Sequence, residues 1–476
     1  MQNTKAVLTG NWQPVTNKEK PYFHTNVKYL LLYVFLLFNF LANAQGQLSS
    51  IDSLYLNSID HFYTNAENVK DKVWKNMSIG PVCLFRVNGP AILFNHPNPP
   101  EGFTRIKDKL YIGTQKEMEL FGATQKEING TLTAIANYGL MQYSDKEEFY
   151  AELFHELHHV YQRNFVSQIG FDNPATLLTY PENATNDALK LFEQKTLFNM
   201  CFENDAHEFR KLLNQFYSCR LAREQTIKTY IDYEKSVESM EGPAFYCEYK
   251  FYHHLSSANK ALKDNYNHHH FFKFLTTPYY GRNNLRNRHL AAGMAMCLVL
   301  DKYFDGWQEE YYSKKISLYD FLVSKFNPQK EALKIDSMYD HLSNFHSLQE
   351  GLKHELSLGR FNAQPGVKIT LNFDQKPQFK GFDPMHAESI DEHTILHKTM
   401  LRLTGSGDNA LYVENKEAVT IIEGAIWFVN KVILFAPQES IQIKNNKIVV
   451  ELEGQKLFWS GVLKTKNENE IIFNCE

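Results

Sequence analysis

The chain has 476 residues, more than one compact core usually accommodates, so two or three domains are expected. Hydrophobic residues make up 43% and charged residues 22%, which excludes a low-complexity disordered protein and a collagen-like one. Fifty Lys and Arg residues against 54 Asp and Glu give a formal net charge of -4, without the basic excess typical of nucleic-acid binding.

A segment near the N-terminus has the features of a secretory signal. An apolar run extends from Tyr29, follows Lys28 and ends in Ala42-Asn43-Ala44, a small-residue cleavage pattern. The run is shorter than the roughly 20 residues of a membrane-spanning helix, which favours cleavage over a stable membrane span. The polar stretch before it is unusually long, which indicates a translation start near Val27. We expect residues 1–44 to be a signal peptide and the mature protein to be exported, either periplasmic or extracellular.

Changes in periodicity divide the rest of the chain into three parts and predict an α+β fold. Residues 45–142 combine one helix with short strands separated by Asn-Gly and Pro-rich turns, as in a small α/β lobe. Residues 143–362 have apolar side chains at 3.6-residue spacing, which predicts a mainly helical domain. Residues 366–476 alternate polar and apolar side chains, which predicts a β-rich accessory domain without a catalytic arrangement.

The segment His155-Glu156-Leu157-His158-His159 contains the pattern His-Glu-x-x-His within a predicted helix that Ser144 caps. Histidines at i and i+4 lie one turn apart on one helix face, so His155 and His159 can both direct a ring nitrogen at one Zn²⁺. Glu156 lies beside that face, where its carboxylate can take a proton from a metal-bound water. The pattern predicts one zinc ion held by the two histidines, with Glu156 as general base.

Two alternatives accompany this pattern. His158 could pair with His155 at i, i+3, but that pairing leaves Glu156 without its usual relation to the metal. We therefore place His158 in the surroundings of the site or on the surface. A polar helix face that merely carries histidines would also produce the pattern by chance.

A hydrolytic zinc site needs a third protein ligand and an open position for water. A downstream segment offers a candidate in Glu241-Gly242-Pro243-Ala244-Phe245-Tyr246-Cys247-Glu248. Together the two segments resemble the gluzincin-type zinc metallopeptidases, whose second motif is a helix that starts Glu-Gly-x-Ala-x-Tyr, often with a further Glu two residues on. The resemblance implies a zincin-like helical catalytic domain, hydrolysis of peptide bonds, and Glu241 as the third ligand.

The residues around Glu241 are compatible with that role. Ser239 can cap a helix that starts here, Pro243 is tolerated in a first turn, and small Gly242 lets the helix of the first motif approach. Glu248 lies seven residues on, on the same face, where it can accept a hydrogen bond from a ligand histidine. A surface carboxylate is the alternative for Glu248.

A third element of similar peptidases is a later helix with a Tyr or His near its start and a Gly-x-Ala core. The segment His289-Leu290-Ala291-Ala292-Gly293-Met294-Ala295 corresponds to it loosely. The resemblance implies that His289 stabilises the oxyanion of a tetrahedral intermediate, with Tyr279, Tyr280 and Arg282 as rivals. A packing helix with a basic start would give the same pattern.

A strand predicted at Thr131–Tyr138 precedes the first motif. In related peptidases such a strand is the sheet edge along which an extended peptide pairs, so we expect this one to be an edge strand. The run His268-His269-His270 receives no role, because adjacent histidines in a polar turn diverge and are usually solvated. Phosphate loops, GxSxG elbows and dinucleotide fingerprints are absent from the sequence.

The favoured function is an exported zinc-dependent peptidase that acts on a peptide or protein substrate. The alternative is a catalytically inactive metallopeptidase-like module that binds peptide or protein. Glu156 argues against the inactive module, because binding alone does not require a base. A structural surface protein without metal is the third interpretation.

Overall fold

The computed structural model describes residues 48–86, 89–114, 120–139, 146–165, 176, 180–181, 183–278, 284–333, 337–384, 386–391 and 393–476. The predicted signal, residues 1–44, lies outside this range. Helices and strands of the described part confirm the α+β class. Contacts along the chain join Ser58–Glu476 into one compact unit. None of the described helices combines the length and the hydropathy needed to cross a bilayer.

The N-terminal part contains helix α1, Ser50–Val73, and a six-stranded sheet in the order β3-β4-β2-β1-β6-β5. The strands are β1 (Val82–Phe85), β2 (Pro90–Phe94), β3 (Thr104–Lys107), β4 (Leu110–Thr114), β5 (Ala123–Ile128) and β6 (Thr131–Asn137). Strands β1 and β6 run parallel, and the other neighbours are antiparallel. Buried Cys83, Leu93 and Ile135 lie in the core of this sheet.

The expected edge strand is an interior strand. Strand β6 pairs with β1 on one side and with β5 on the other, so the prediction for Thr131–Tyr138 was wrong. Asn129 and Gly130 both have positive φ, 43° and 76°, as a tight hairpin turn requires. This turn folds β5 back along β6, so β5 is the last strand of the described sheet on this side.

The middle part is helical, as predicted. Its helices are α2 (Lys146–Gln162), α3 (Ala184–Phe202), α4 (Ala206–Ile227), α5 (Tyr230–Leu255), α6 (Lys260–Tyr266), α7 (Lys273–Thr276), α8 (Leu285–Tyr303), α9 (Trp307–Lys314), α10 (Leu318–Phe326) and α11 (Ser337–Asn362). A 3₁₀ turn, Arg163–Phe165, follows α2, and a π-helical turn, Asn267–Phe271, follows α6.

Helix α5 corrects two local predictions. It begins at Tyr230, after a break at Lys228 with φ of 48°, so Glu241 lies in its interior and not in a first turn. Ser239 is therefore no helix cap. Its hydroxyl donates to the Lys235 carbonyl at 2.6 Å and accepts from the Leu318 N–H at 2.9 Å.

Gly242 and Gly293 bring α5 and α8 into backbone contact. A Cβ atom on Gly242 would lie 2.5 Å from the Gly293 Cα, and one on Gly293 would lie 2.4 Å from the Glu238 carbonyl oxygen. Side chains cannot relieve such overlaps because the facing atoms belong to the backbone. Gly242 thus admits α8 and not the helix of the first motif, contrary to the prediction.

The C-terminal part is a nearly closed twelve-stranded sheet, as the alternating sequence predicts. Its strands are β7 (Val367–Phe373), β8 (Gln378–Phe382), β9 (Ala387–Ser389), β10 (Thr394–His397), β11 (Met400–Thr404), β12 (Ala410–Glu414), β13 (Ala418–Glu423), β14 (Ala425–Ala436), β15 (Ile441–Lys444), β16 (Lys447–Leu452), β17 (Gln455–Lys466) and β18 (Glu470–Cys475). Phe361 of α11 packs on this sheet beside Leu396 and Val419. Asn137 Nδ2 donates to Glu414 Oε1 at 2.7 Å, which links β6 to β12.

Candidate metal centre

Three side chains from two helices converge at one point. His155 Nε2 and His159 Nε2 lie 3.1 Å apart on α2, and Glu241 Oε2 on α5 lies 3.5 Å from the first and 3.3 Å from the second. Four tetrahedral ligands at zinc bond lengths of about 2.0–2.1 Å stand roughly 3.3–3.4 Å from one another. The three donor atoms therefore already have the spacing of one face of a zinc coordination tetrahedron.

Apolar packing fixes the two helices that carry these donors. Leu153, Phe154 and Leu157 of α2 are completely buried. The Phe154 ring stacks on Phe251 of α5, with ring centroids 4.2 Å apart and planes inclined by 11°. The 3.6-residue period places these apolar residues on one face of α2 and the two histidines at the edge of that face. Packing of this face on α5 therefore also brings the imidazoles toward α5.

Hydrogen bonds at the far side of each ring determine which nitrogen faces the centre. His155 Nδ1 lies 3.0 Å from Glu248 Oε2, and His159 Nδ1 lies 3.0 Å from Gln162 Oε1. Burial would raise the pKa of Glu248, but the charge of His270 and the hydrogen bonds from His155 and His270 lower that pKa to about 2. Glu248 is thus ionised and can only accept, so His155 Nδ1 carries a proton. When the ring is neutral, as a metal ligand must be, its Nε2 presents a lone pair.

Charge around the donors is balanced by residues of α5 and α8. Arg286 Nη2 donates a hydrogen bond to Glu241 Oε1, which leaves Oε2 to face the two histidines. Burial opposes ionisation of Glu241, yet His159 and His155 hold its pKa well below the usual value. Burial also lowers the pKa of His155, but bonds to Glu241 and Glu248 outweigh it and raise that pKa well above normal.

Glu156 is buried beside the two histidines, as its place in the motif implies. Burial raises its pKa, and the nearby imidazoles only partly offset that effect. A carboxylate with a raised pKa is a stronger base than an exposed one. The side chains of His155, His159 and Glu241 are only 9%, 9% and 14% exposed, so the three donors lie in a largely buried site.

His158 points away from this centre. It is fully buried, and its ring lies 4.6 Å from that of Trp74 and has Nε2 3.4 Å from the Tyr312 hydroxyl. Burial lowers its pKa well below the usual value. The surface placement is therefore wrong: His158 packs among aromatic side chains, on a different part of the α2 surface from the histidine pair.

His289 lies in a different, solvent-excluded cluster. Its Nδ1 is 3.9 Å from Glu234 Oε2 and 4.0 Å from Glu238 Oε1, and burial lowers its pKa well below the usual value. An oxyanion-stabilising group must reach the substrate, which a residue without exposed surface cannot do. We therefore assign His289 no catalytic role. Its rivals Tyr279, Tyr280 and Arg282 lie outside the described residues.

The cluster around His289 also brings metal-ligand residue types together, namely Glu234, Glu238 and His289. Its carboxylates, however, are already paired with buried cations. Arg220 bonds Glu193 and Glu238, and Arg223 bonds Glu193 and Glu234. Lys190 lies 2.9 Å from Glu234 Oε2 and adds a third positive charge against the three carboxylates. This is an internal ion-pair network with no surplus negative charge to attract a metal.

Sequence reasoning missed three residues that contact the site: Gln162, Arg286 and His270. Gln162 follows His159 by three positions and therefore lies on the same helix face, which was a usable signal. Arg286 and His270 come from distant segments, so the sequence carried no signal that would place them at the site. His270 Nε2 lies 2.6 Å from Glu248 Oε1, so this histidine is hydrogen-bonded to the site and is not simply solvated as the sequence predicted.

Glu248 occupies the first of the two positions that the sequence left open for it, with His155 on one oxygen and His270 on the other. The chain matches no protein-family model, no curated protein and no solved structure. Function is therefore inferred from the chemistry of the site itself.

Proposed function

We propose that the chain is a zinc-dependent peptidase in which His155, His159 and Glu241 hold one Zn²⁺ and Glu156 acts as general base. The decisive observation is that two imidazole Nε2 atoms and a carboxylate oxygen face one another within 3.5 Å. Both Nδ1 atoms are hydrogen-bonded elsewhere. When both rings are neutral, the three inward atoms are all lone-pair donors, which repel one another unless a proton or a metal cation lies between them.

The donor set supports zinc among the available cations. Two neutral imidazoles and one carboxylate are a common ligand set of hydrolytic zinc sites, whereas Ca²⁺ and Mg²⁺ prefer six or more oxygen ligands. Three protein ligands leave a fourth tetrahedral position for water or substrate.

A bound zinc ion supplies Lewis-acid chemistry, lowering the pKa of water and polarising a carbonyl. Glu156 takes the proton of the attacking water and delivers it to the amine nitrogen that leaves when the C–N bond breaks. Glu248 and Gln162 hold the two imidazoles with their Nε2 atoms inward. Arg286 holds one oxygen of Glu241 and so directs the other toward the site.

A peptide substrate is favoured by the resemblance to gluzincin-type peptidases and by the position of β5. Among the described residues β5 is the terminal strand of its sheet, and such an edge is where an extended peptide pairs. Arg163, just after α2, contacts Gln125 of β5 at 3.0 Å, so this strand lies beside the helix that carries the histidines. We further propose that the zincin-like domain acts after export, on the basis of the signal pattern before residue 45.

Metal content and hydrolysis, measured together, test this function. Wild type purified without chelator should retain about one zinc per chain and cleave fluorogenic peptides. Glu156→Gln should retain zinc and lose hydrolysis, because the amide keeps the size of the side chain but is not a base. Glu241→Ala should weaken zinc binding by at least about tenfold to a hundredfold.

Each contrary result overturns a specific part of the proposal. Full zinc retention by Glu241→Ala would move the third ligand to another residue. Zinc binding by wild type without cleavage of any peptide, but with peptide affinity, would establish the inactive binding module instead. Absence of stoichiometric zinc, Mn²⁺ or Co²⁺ binding would eliminate the metal site.

A further inference from the structure

Gln162 contacts both helices that form the site. It is the last residue of α2 and is fully buried. Its Oε1 lies 3.0 Å from His159 Nδ1, while its Nε2 donates to the carbonyl oxygens of Ser239 at 3.2 Å and Met240 at 3.1 Å. One amide thus connects a predicted metal ligand of α2 to the backbone of α5.

Pro243 explains why α5 has a carbonyl available for this amide. In an uninterrupted helix the N–H of residue 243 would donate to the carbonyl of Ser239, four positions earlier. Proline has no N–H, so that bond cannot form in the interior of α5. Ser239 is fully buried, which leaves water no access to its carbonyl. The Gln162 amide supplies the missing donor.

The same contacts determine the orientation of the amide and the tautomer of His159. Carbonyl oxygens only accept, so the NH₂ group of Gln162 must face Ser239 and Met240. Its oxygen then faces His159 Nδ1, which must carry the proton. His159 Nε2 is left with a lone pair, 3.3 Å from Glu241 Oε2.

We propose that Gln162 is a positioning residue that selects the metal-binding tautomer of His159, and that Pro243 creates the acceptor that holds its amide. This inference rests on the proposed zinc site and extends it with a residue outside the His-Glu-x-x-His pattern. A proline in the second motif thereby acts on a histidine of the first through one side chain.

Gln162→Met removes both hydrogen-bonding groups at similar volume. Zinc affinity, measured by chelator competition, should fall about tenfold to a hundredfold, as loss of an outer hydrogen bond to a ligand usually produces. In wild type loaded with zinc, the Nδ1 proton of His159 should give an NMR signal protected from solvent exchange, and the variant should lose it. Gln194→Met is the matched control, because Gln194 is equally buried but contacts the Arg288 carbonyl at 3.5 Å.

Pro243→Ala separates positioning from general stability. The new N–H of residue 243 can bond to the Ser239 carbonyl, so Gln162→Met should lower the metal-free unfolding midpoint less in the Pro243→Ala background than in wild type. The effect of Gln162→Met on zinc affinity should persist in both backgrounds, because the Met240 carbonyl still holds the amide of Gln162 against His159. If Gln162 only stabilised the fold, Pro243→Ala would reduce both effects of Gln162→Met, the loss of unfolding midpoint and the loss of zinc affinity.

Two results would overturn the inference. Zinc affinity of Gln162→Met within about twofold of wild type removes the positioning role. An equal loss of metal-free stability in both backgrounds removes the link to Pro243. Failure of wild type to bind zinc contradicts the proposed function instead, and the metal-free comparison still tests the contact between Gln162 and α5.

Discussion

His155 Nδ1 lies 3.0 Å from Glu248 Oε2, although the two residues come from different helices. The same carboxylate contacts His270 through its other oxygen, 2.6 Å from Nε2. One buried carboxylate therefore orients a predicted zinc ligand and ties it to a third segment of the chain. A carboxylate in this place makes the imidazole a better metal donor than a neutral acceptor does.

Glu248→Gln should weaken zinc binding by about tenfold to a hundredfold while leaving the fold intact, because the amide keeps the shape but not the charge. Chelator competition measures the affinity, and circular dichroism checks the fold. Glu224→Gln, which alters a carboxylate of α4 that lies 3.5 Å from Lys235 and is not part of the site, is the control. Unchanged affinity in Glu248→Gln would mean that Glu248 does not tune His155.

His289→Leu should leave zinc affinity and peptide hydrolysis within about threefold of wild type. Among the described residues neither ring nitrogen of His289 has a hydrogen-bond partner, and the side chain is fully buried. Leucine removes no hydrogen bond and fits an interior position. A loss of kcat of a hundredfold or more, at unchanged KM and zinc content, would restore the oxyanion role that the sequence implied.

Gly242→Ala should lower the free energy of unfolding by about 1–3 kcal/mol or more, because its methyl group would overlap the backbone of Gly293. The helices must separate, which also moves Glu241, so zinc affinity should fall with stability. Chemical denaturation with and without zinc measures both effects. Gly351→Ala is a matched control in an exposed helix, where a new Cβ meets nothing within 4 Å, and it should be neutral or stabilising.

Glu414 should make the contact between the N-terminal and C-terminal sheets sensitive to pH. Burial raises its pKa to about 7, with only partial compensation from Asn137 and Arg402. A raised folded-state pKa means that the stabilising contribution of the protonated form is complete below the unfolded value of about 4.3. This contribution to the free energy of unfolding, roughly 2–4 kcal/mol, is lost as the pH rises from the unfolded value through the folded value of about 7.

Glu414→Gln should remove that dependence, because the amide stays neutral and can still accept from Asn137. Denaturation of both proteins between pH 5 and pH 8 measures the difference, with wild type losing more stability on going to pH 8. Parallel pH curves for the two proteins would show that Glu414 does not titrate in this range.

Local patterns found the elements around the site but not all of their boundaries. The helix at Glu241 was placed too late, because Pro243 reads as a first-turn residue when its neighbours in space are unknown. In the folded chain Gln162 satisfies the carbonyl that Pro243 frees, so the helix continues through it. Tertiary contacts thus overrode a local rule that holds for an isolated helix.

Helical spacing and residue chemistry are local properties, so they predict the α+β class and the shared face of His155 and His159. The candidacy of Glu241 came from the motif resemblance. Only the folded structure shows that His158 and His289 face buried clusters, that β5 ends the described sheet, and that His270 and Arg286 reach the site. Those outcomes depend on how helices cross and strands pair between segments far apart in the chain, which no local spacing encodes.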